Sequence, residues 1–231
     1  MIADRLAAVE DRIRRACRRA GRDPSQVTLV AVTKNVTAEA AALLPGLGVL
    51  DLGENRPQEL WRKAAALPSA VRWHLIGHLQ RNKIERTSPL VHLIHSVDSV
   101  RLLRALDEEA ERRGAAVRAL LEVKVSREAG KQGFAPEEVP GLAAELARLR
   151  RVRVEGLMGM AALEEDPERC RPTFVLLRQT RDRLQAEVGE AHRLDRLSMG
   201  MTNDFEQAVE EGATLVRLGT VLFEGLGEEA P

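Results

Sequence analysis

The sequence predicts an α/β protein, a single (β/α)8 barrel of the TIM type with an extra helix at its N-terminus. Three observations predict it. Eight short apolar runs alternate with helix-period segments from residue 28 onward. The chain has 231 residues, close to the size of one such barrel. Polar and glycine-rich residues gather at the C-terminal ends of the runs, where these barrels carry their sites. The same alternation also permits an open doubly wound sheet.

The elements follow in chain order. Ile2, Leu6, Val9 and Ile13 recur at helical spacing. The arginines from Arg12 to Arg22 are offset by Asp4, Glu10, Asp11 and Asp23, so this helix presents a solvated face rather than a basic patch. The strand candidates are Leu29–Thr33, Val49–Leu52, Trp73–Ile76, Val91–His95, Val117–Val123, Val152–Met158, Leu194–Met199 and Thr214–Leu218. Between them Val100, Leu103, Leu106 and Ala110 form one helical stripe. Val139, Leu142, Leu146 and Leu149 form a second, and Phe174, Leu177, Leu184 and Val188 a third. Ala135-Pro136-Glu137 and Asp166-Pro167-Glu168 mark helix starts, with proline in the first turn. There is no Pro/Gly/Ser-rich linker, composition shift or internal repeat, so residues 1–231 read as one domain.

Thirty-five basic residues balance thirty-five acidic ones, so no net field favours nucleic acid or an anionic membrane. No apolar run reaches membrane-spanning length, and the first residues suit neither a secretory signal nor a transit peptide. Cys17 and Cys170 are too few and too distant to suggest a disulfide framework or a metal motif. The expectation is a cytoplasmic protein with reduced thiols and no metal. No long exposed apolar face is evident in the helices, which favours a monomer.

Only five lysines stand against thirty arginines. Arginine replaces lysine wherever a solvated positive charge suffices, but not where an amine must lose its proton and attack a carbonyl. Lys34 closes the first strand candidate and therefore reads as a Schiff-base residue; position alone would equally suit a surface lysine at a strand end. Further strand ends supply Gly53-Glu54-Asn55, Gly77-His78, His95-Ser96 and Met158-Gly159-Met160. The seventh supplies Ser198-Met199-Gly200-Met201-Thr202 and the eighth Arg217-Leu218-Gly219-Thr220. Barrels bind phosphate at the loops after these last two strands. Gly219, the Thr220 hydroxyl and N–H, and the Ser198 hydroxyl would form an anion site there. An amine and a phosphate cradle across one barrel mouth call for a phosphorylated aldehyde or ketone. A sugar phosphate, as in Schiff-base aldolases, and pyridoxal 5′-phosphate both qualify.

Six stretches carry a resemblance: Ala31-Val32-Thr33-Lys34, Gly53-Glu54-Asn55-Arg56-Pro57-Gln58-Glu59, residues 73–83 from Trp73 to Lys83, Gly156-Leu157-Met158, residues 197–204 from Leu197 to Asp204, and Val216-Arg217-Leu218-Gly219-Thr220. In this order they resemble the pyridoxal-phosphate homeostasis proteins of the YggS/PROSC type. The resemblance implies the alanine racemase N-terminal barrel, with pyridoxal phosphate held as a Schiff base on Lys34. It places the phosphate against Ser198, Gly219 and Thr220, sets Arg217 at the pyridine nitrogen, and lines the cofactor with Asn55 and Met199. Pro57 and Lys131-Gln132-Gly133 depart slightly from the family pattern, both in loops or at helix starts.

The implied function is carriage of pyridoxal phosphate, buffering it or delivering it to apo forms of pyridoxal-dependent enzymes. Catalysis is not expected. A permanently charged arginine leaves the ring nitrogen unprotonated, which weakens the ring as an electron sink. Alanine racemases use a tyrosine from a second domain as their second base, and this chain has no tyrosine. A low-activity amino-acid racemase is the alternative, with His74 or His95 as stand-in base. His74 otherwise either contacts the cofactor or packs with Trp73 at strand three. Met160 and Met201 read as core filling, and Asn82 and Lys83 as solvated. Lys124 and Lys131 flank a loop after strand five, where they would guard the mouth or act as a second aldehyde acceptor.

Overall fold

In the computed structural model, which describes residues 1–126, 132–189 and 192–225, eight parallel strands close into a barrel in sequence order. They are β1 Thr28–Val32, β2 Asp51–Glu54, β3 Arg72–Leu75, β4 Val91–Val97, β5 Val117–Glu122, β6 Val152–Met158, β7 Arg196–Ser198 and β8 Leu215–Leu218. Closure is made by β1, which pairs Ala31 with Leu52 on one side and Thr28 with Leu215 on the other. The expected (β/α)8 barrel with its N-terminal helix is therefore present.

Most strand ends differ from the sequence reading by one or two residues, and three departures have a visible local reason. β2 starts at Asp51, because the Val49 N–H donates to the Leu44 carbonyl and closes the preceding turn. β7 is short, because the Leu194 N–H is taken by the Gln185 side chain at 2.8 Å. Ala135-Pro136-Glu137 forms a turn, not a helix start. The Ala135 N–H donates to the Glu138 carboxylate at 2.9 Å, and helical structure begins only at Pro140. At Asp166-Pro167-Glu168 the expected start is found, as one 3-10 turn leading into the helix Arg171–Val188.

Two apolar layers result from strand alternation. Val30, Leu93, Leu120, Met158 and Leu215, from five different strands, meet in a small cluster inside the barrel. The larger cluster lies between the strands and the surrounding helices. The N-terminal helix Ile2–Arg19 buries Ile2, Leu6, Val9, Ile13, Ala16 and Cys17 and adds to that outer layer. Its polar side holds the helix Phe205–Glu210 through Arg12 to Glu206 at 2.7 Å and Arg19 to Glu210 at 2.5 Å. That helix follows directly on the loop after β7, so the extra helix supports one wall of the barrel mouth. Among the described residues no helix is long and apolar enough to cross a membrane.

Candidate functional site

A cavity of about 600 Å³ opens at the C-terminal end of the barrel, within the range of small-ligand sites. Lys34, Asn55, Arg217, Gly219 and Thr220 all line it. Lys34 leaves β1 just past Thr33 and is exposed to the mouth. The residue before it is fixed from below. The Thr33 hydroxyl donates to Glu54 Oε1 at 2.6 Å, and Lys63 Nζ donates to the same oxygen and to the Thr33 carbonyl, each at 2.7 Å. Lys63 and Glu54 are both fully buried, and Glu54 Oε2 has no hydrogen-bond partner.

Asn55 owes its place to Gly77. A Cβ on Gly77 would lie 2.1 Å from the Asn55 carbonyl oxygen and 2.2 Å from its Oδ1. Gly77→Ala is therefore expected to push Asn55 from the cavity wall and weaken ligand binding by about tenfold or more. A fluorescence titration alongside a thermal melt checks this; unchanged affinity would remove Asn55 from the site.

After β7 the chain turns sharply at Gly200, with φ at +91°, where a Cβ would approach Ala208 Cβ to 2.6 Å. Asp204 then accepts the Met201 N–H at 2.6 Å, and burial raises the pKa of its carboxyl. This compact turn presents Met201, Thr202 and Asn203 to the cavity. Arg217 forms the floor. It is buried, its Nη1 donates to Ser198 Oγ at 2.5 Å, and its Nη2 donates to the Gly159 carbonyl at 3.1 Å. Burial lowers its pKa to about 10, against the opposing charges of Asp204 and Glu122. The guanidinium thus stays charged at neutral pH, with N–H donors left over.

Three residues assigned to the cofactor are not on the cavity wall. Met199 is fully buried in the outer layer. Ser198 faces the barrel interior, so strand alternation turns its neighbour towards the helices. Ser198 sits beneath Arg217 and is not on the cavity wall; its hydroxyl lies between Arg217 and His95 Nδ1, the latter at 2.8 Å. His74 is buried deeper, bonded to Asp51 at 2.9 Å and His95 at 2.8 Å. Neither His74 nor His95 reaches the cavity.

The cavity also recruits residues not assigned to it. Met160 and Met201, read as core filling, line it. So do Thr202 and His78, whose Nδ1 lies 3.0 Å from Asp98 Oδ2. The signal was present: both residues stand at strand ends already marked as polar. Lys124 is exposed and off the cavity, and Lys131 lies outside the described residues. Of the other two residues expected to be solvated, Asn82 is exposed and Lys83 half-buried. Among the described residues no group of three or more metal-binding side chains occurs.

A parallel barrel with a lysine at the end of β1 and a buried arginine near the end of β8 defines a class. Residues 5–226 match the family model "Alanine racemase, N-terminal domain". Within that class, a protein of Aquifex aeolicus named pyridoxal phosphate homeostasis protein is 42% identical over 221 residues, covering 95% of this chain and 96% of its own. Its namesake from Pseudomonas aeruginosa is 39% identical, covering 100% of this chain and 98% of its own. The structure of PipY from Synechococcus elongatus with PLP bound superposes with a TM-score of 0.82 at 35% identity, covering 96% of this chain and 100% of that one. The chain belongs to the pyridoxal phosphate homeostasis protein family.

Proposed function

We propose that this protein binds pyridoxal 5′-phosphate reversibly at the barrel mouth and serves its homeostasis as a carrier, not as a catalyst. The observation that carries the reading is the joint placement of Lys34, Asn55, Arg217, Gly219 and Thr220 on one cavity. The donor set fits the ligand. Lys34 Nζ is the amine for the aldehyde carbon, and Arg217 offers a permanent donor to the ring nitrogen. Gly219 and Thr220 take the phosphate together with the Thr202 hydroxyl, since Ser198 lies below the wall. When bound, pyridoxal phosphate supplies an electrophilic aldehyde and a conjugated ring. The protein's own residues orient it and hold its ring nitrogen without a proton.

The whole chain acts in this reading as one cofactor-binding unit, monomeric and cytoplasmic, with apo pyridoxal enzymes as recipients. Borohydride reduction of the loaded protein followed by peptide mapping is expected to find the label on Lys34. A label confined to another lysine would overturn the assignment.

A second reading, a slow amino-acid racemase, draws on one observation. His78, aimed by Asp98, is the histidine that lines the cavity, in place of His74 or His95. Deuterium exchange at the Cα of alanine, lost in both Lys34→Ala and His78→Gln, would replace the carrier reading.

A further inference from the structure

A file of buried polar side chains runs through the barrel interior, from the end of the barrel opposite the cavity to the cavity floor. At its outer end Asp51 is paired with the part-exposed Arg72. Asp51 Oδ1 lies 2.9 Å from His74 Nε2, and His74 Nδ1 lies 2.8 Å from His95 Nε2. His95 Nδ1 lies 2.8 Å from Ser198 Oγ, which receives Arg217 Nη1 at 2.5 Å. His74, His95 and Ser198 are each at most 1% exposed.

The two ends fix every proton between them. An ionised Asp51 only accepts, so His74 must donate from Nε2. A neutral His74 then accepts at Nδ1, which requires His95 to donate from Nε2 and accept at Nδ1. Ser198 must therefore donate its hydroxyl proton to His95 and accept from Arg217. With both rings neutral, one arrangement satisfies all four bonds, and it leaves no proton on Ser198 for a bound anion. An imidazolium at either histidine would turn the His95–Ser198 bond round. It would also set two donors against Ser198 Oγ and bury a second cation beside Arg217. Burial, outweighing the pull of Asp51 on His74, lowers the pKa of both rings and keeps them neutral.

We infer that Asp51, His74, His95 and Ser198 form a proton-ordered relay that holds Arg217 as a fixed donor at the cavity floor, making Asp51 a positioning residue for a pocket at the far end of the barrel. The order of protons stands on these four bonds together with the burial that keeps both rings neutral. Its effect on ligand binding rests on the reading of Arg217 given above.

The test begins with long-range 15N–1H spectra of the protein without added ligand. Both His74 and His95 are expected to carry their proton on Nε2, with Nδ1 bare. Asp51→Asn can present either a donor or an acceptor to His74, so His95 should become a mixture of tautomers. Pyridoxal phosphate affinity should then fall by about tenfold. Arg72→Ala removes only the outer partner of Asp51; it should keep the wild-type tautomers and hold affinity to within about twofold. A wild-type His95 protonated on Nδ1 would overturn the relay. So would an Asp51→Asn protein with unchanged tautomers and affinity. If the wild-type tautomers are as stated but no pyridoxal phosphate is taken up, the relay stands and the carrier reading falls.

Discussion

Lys63→Met is expected to destabilise the protein by about 3–5 kcal/mol, the cost of leaving one member of a buried ion pair without the other. Methionine fills a similar volume, so packing changes little and the loss is chiefly electrostatic. Glu54 would keep a carboxylate with no exposed surface, one oxygen of which already has no partner. The Thr33 carbonyl would lose one of its two donors as well, keeping the Val36 N–H. Removing both charges, with Glu54→Leu added to Lys63→Met, is expected to recover part of this loss. Recovery should be incomplete by about 0.5–1.5 kcal/mol, because the Thr33 hydroxyl and carbonyl would each lose a bond and keep only the Gly53 carbonyl and the Val36 N–H. Urea unfolding of the two variants checks the pair. A single variant within 1 kcal/mol of wild type, on the order of an exposed pair's worth, would show that the charges are not confined as the structure places them.

Acidification is expected to weaken the fold well before the carboxylates titrate. Burial lowers the pKa of His74 and His95 below the ordinary histidine value of 6.5. Burial and then the Arg118 charge bring the half-buried His92 to about 4. Between pH 6.5 and these folded values the unfolded chain binds more protons than the native one, so stability rises with pH in that window and is lost as pH falls through it. Each buried histidine contributes at most about 1.4 kcal/mol per pH unit inside its window. His74 and His95 therefore both add to the loss of stability as pH falls below 6.5. Asp51 acts lower down. Burial alone would raise its pKa, but hydrogen bonds from Arg72 and His74 outweigh this and hold it well below the usual carboxylate range, so its contribution fades only under stronger acid. Unfolding curves at pH 7.5, 6 and 5 test the slope; equal stability at all three would mean that the histidines already carry protons in the native state.

The barrel was legible because alternation and strand-end chemistry are local signals. Each apolar run announces its own strand, and the polar ends fall together once the strands are parallel. Lys34, Asn55, Arg217, Gly219 and Thr220 could be found that way. Ser198 and Met199 show where the method stops. A run through Leu194–Met199 does not say which of two adjacent residues faces inward, and the short β7 decides it only through pairing with β6 and β8. His74 read equally well as a ligand contact or a packed residue, because its partners Asp51 and His95 lie 23 and 21 residues away in sequence. Lys63 is the instructive omission. The scarcity of lysine that drew attention to Lys34 applied equally to Lys63, but its setting in Trp61-Arg62-Lys63 reads as the solvated face of a helix.

The polar file beneath Arg217 has a consequence for traffic. Those side chains bond to one another and fill the barrel's lower half, so among the described residues the cavity faces the C-terminal end of the barrel. Lys34, Asn55 and the turn at residues 201–203 border that opening. Any macromolecule that takes the cargo over directly would have to dock at that doorway, against the rim and not the flanks.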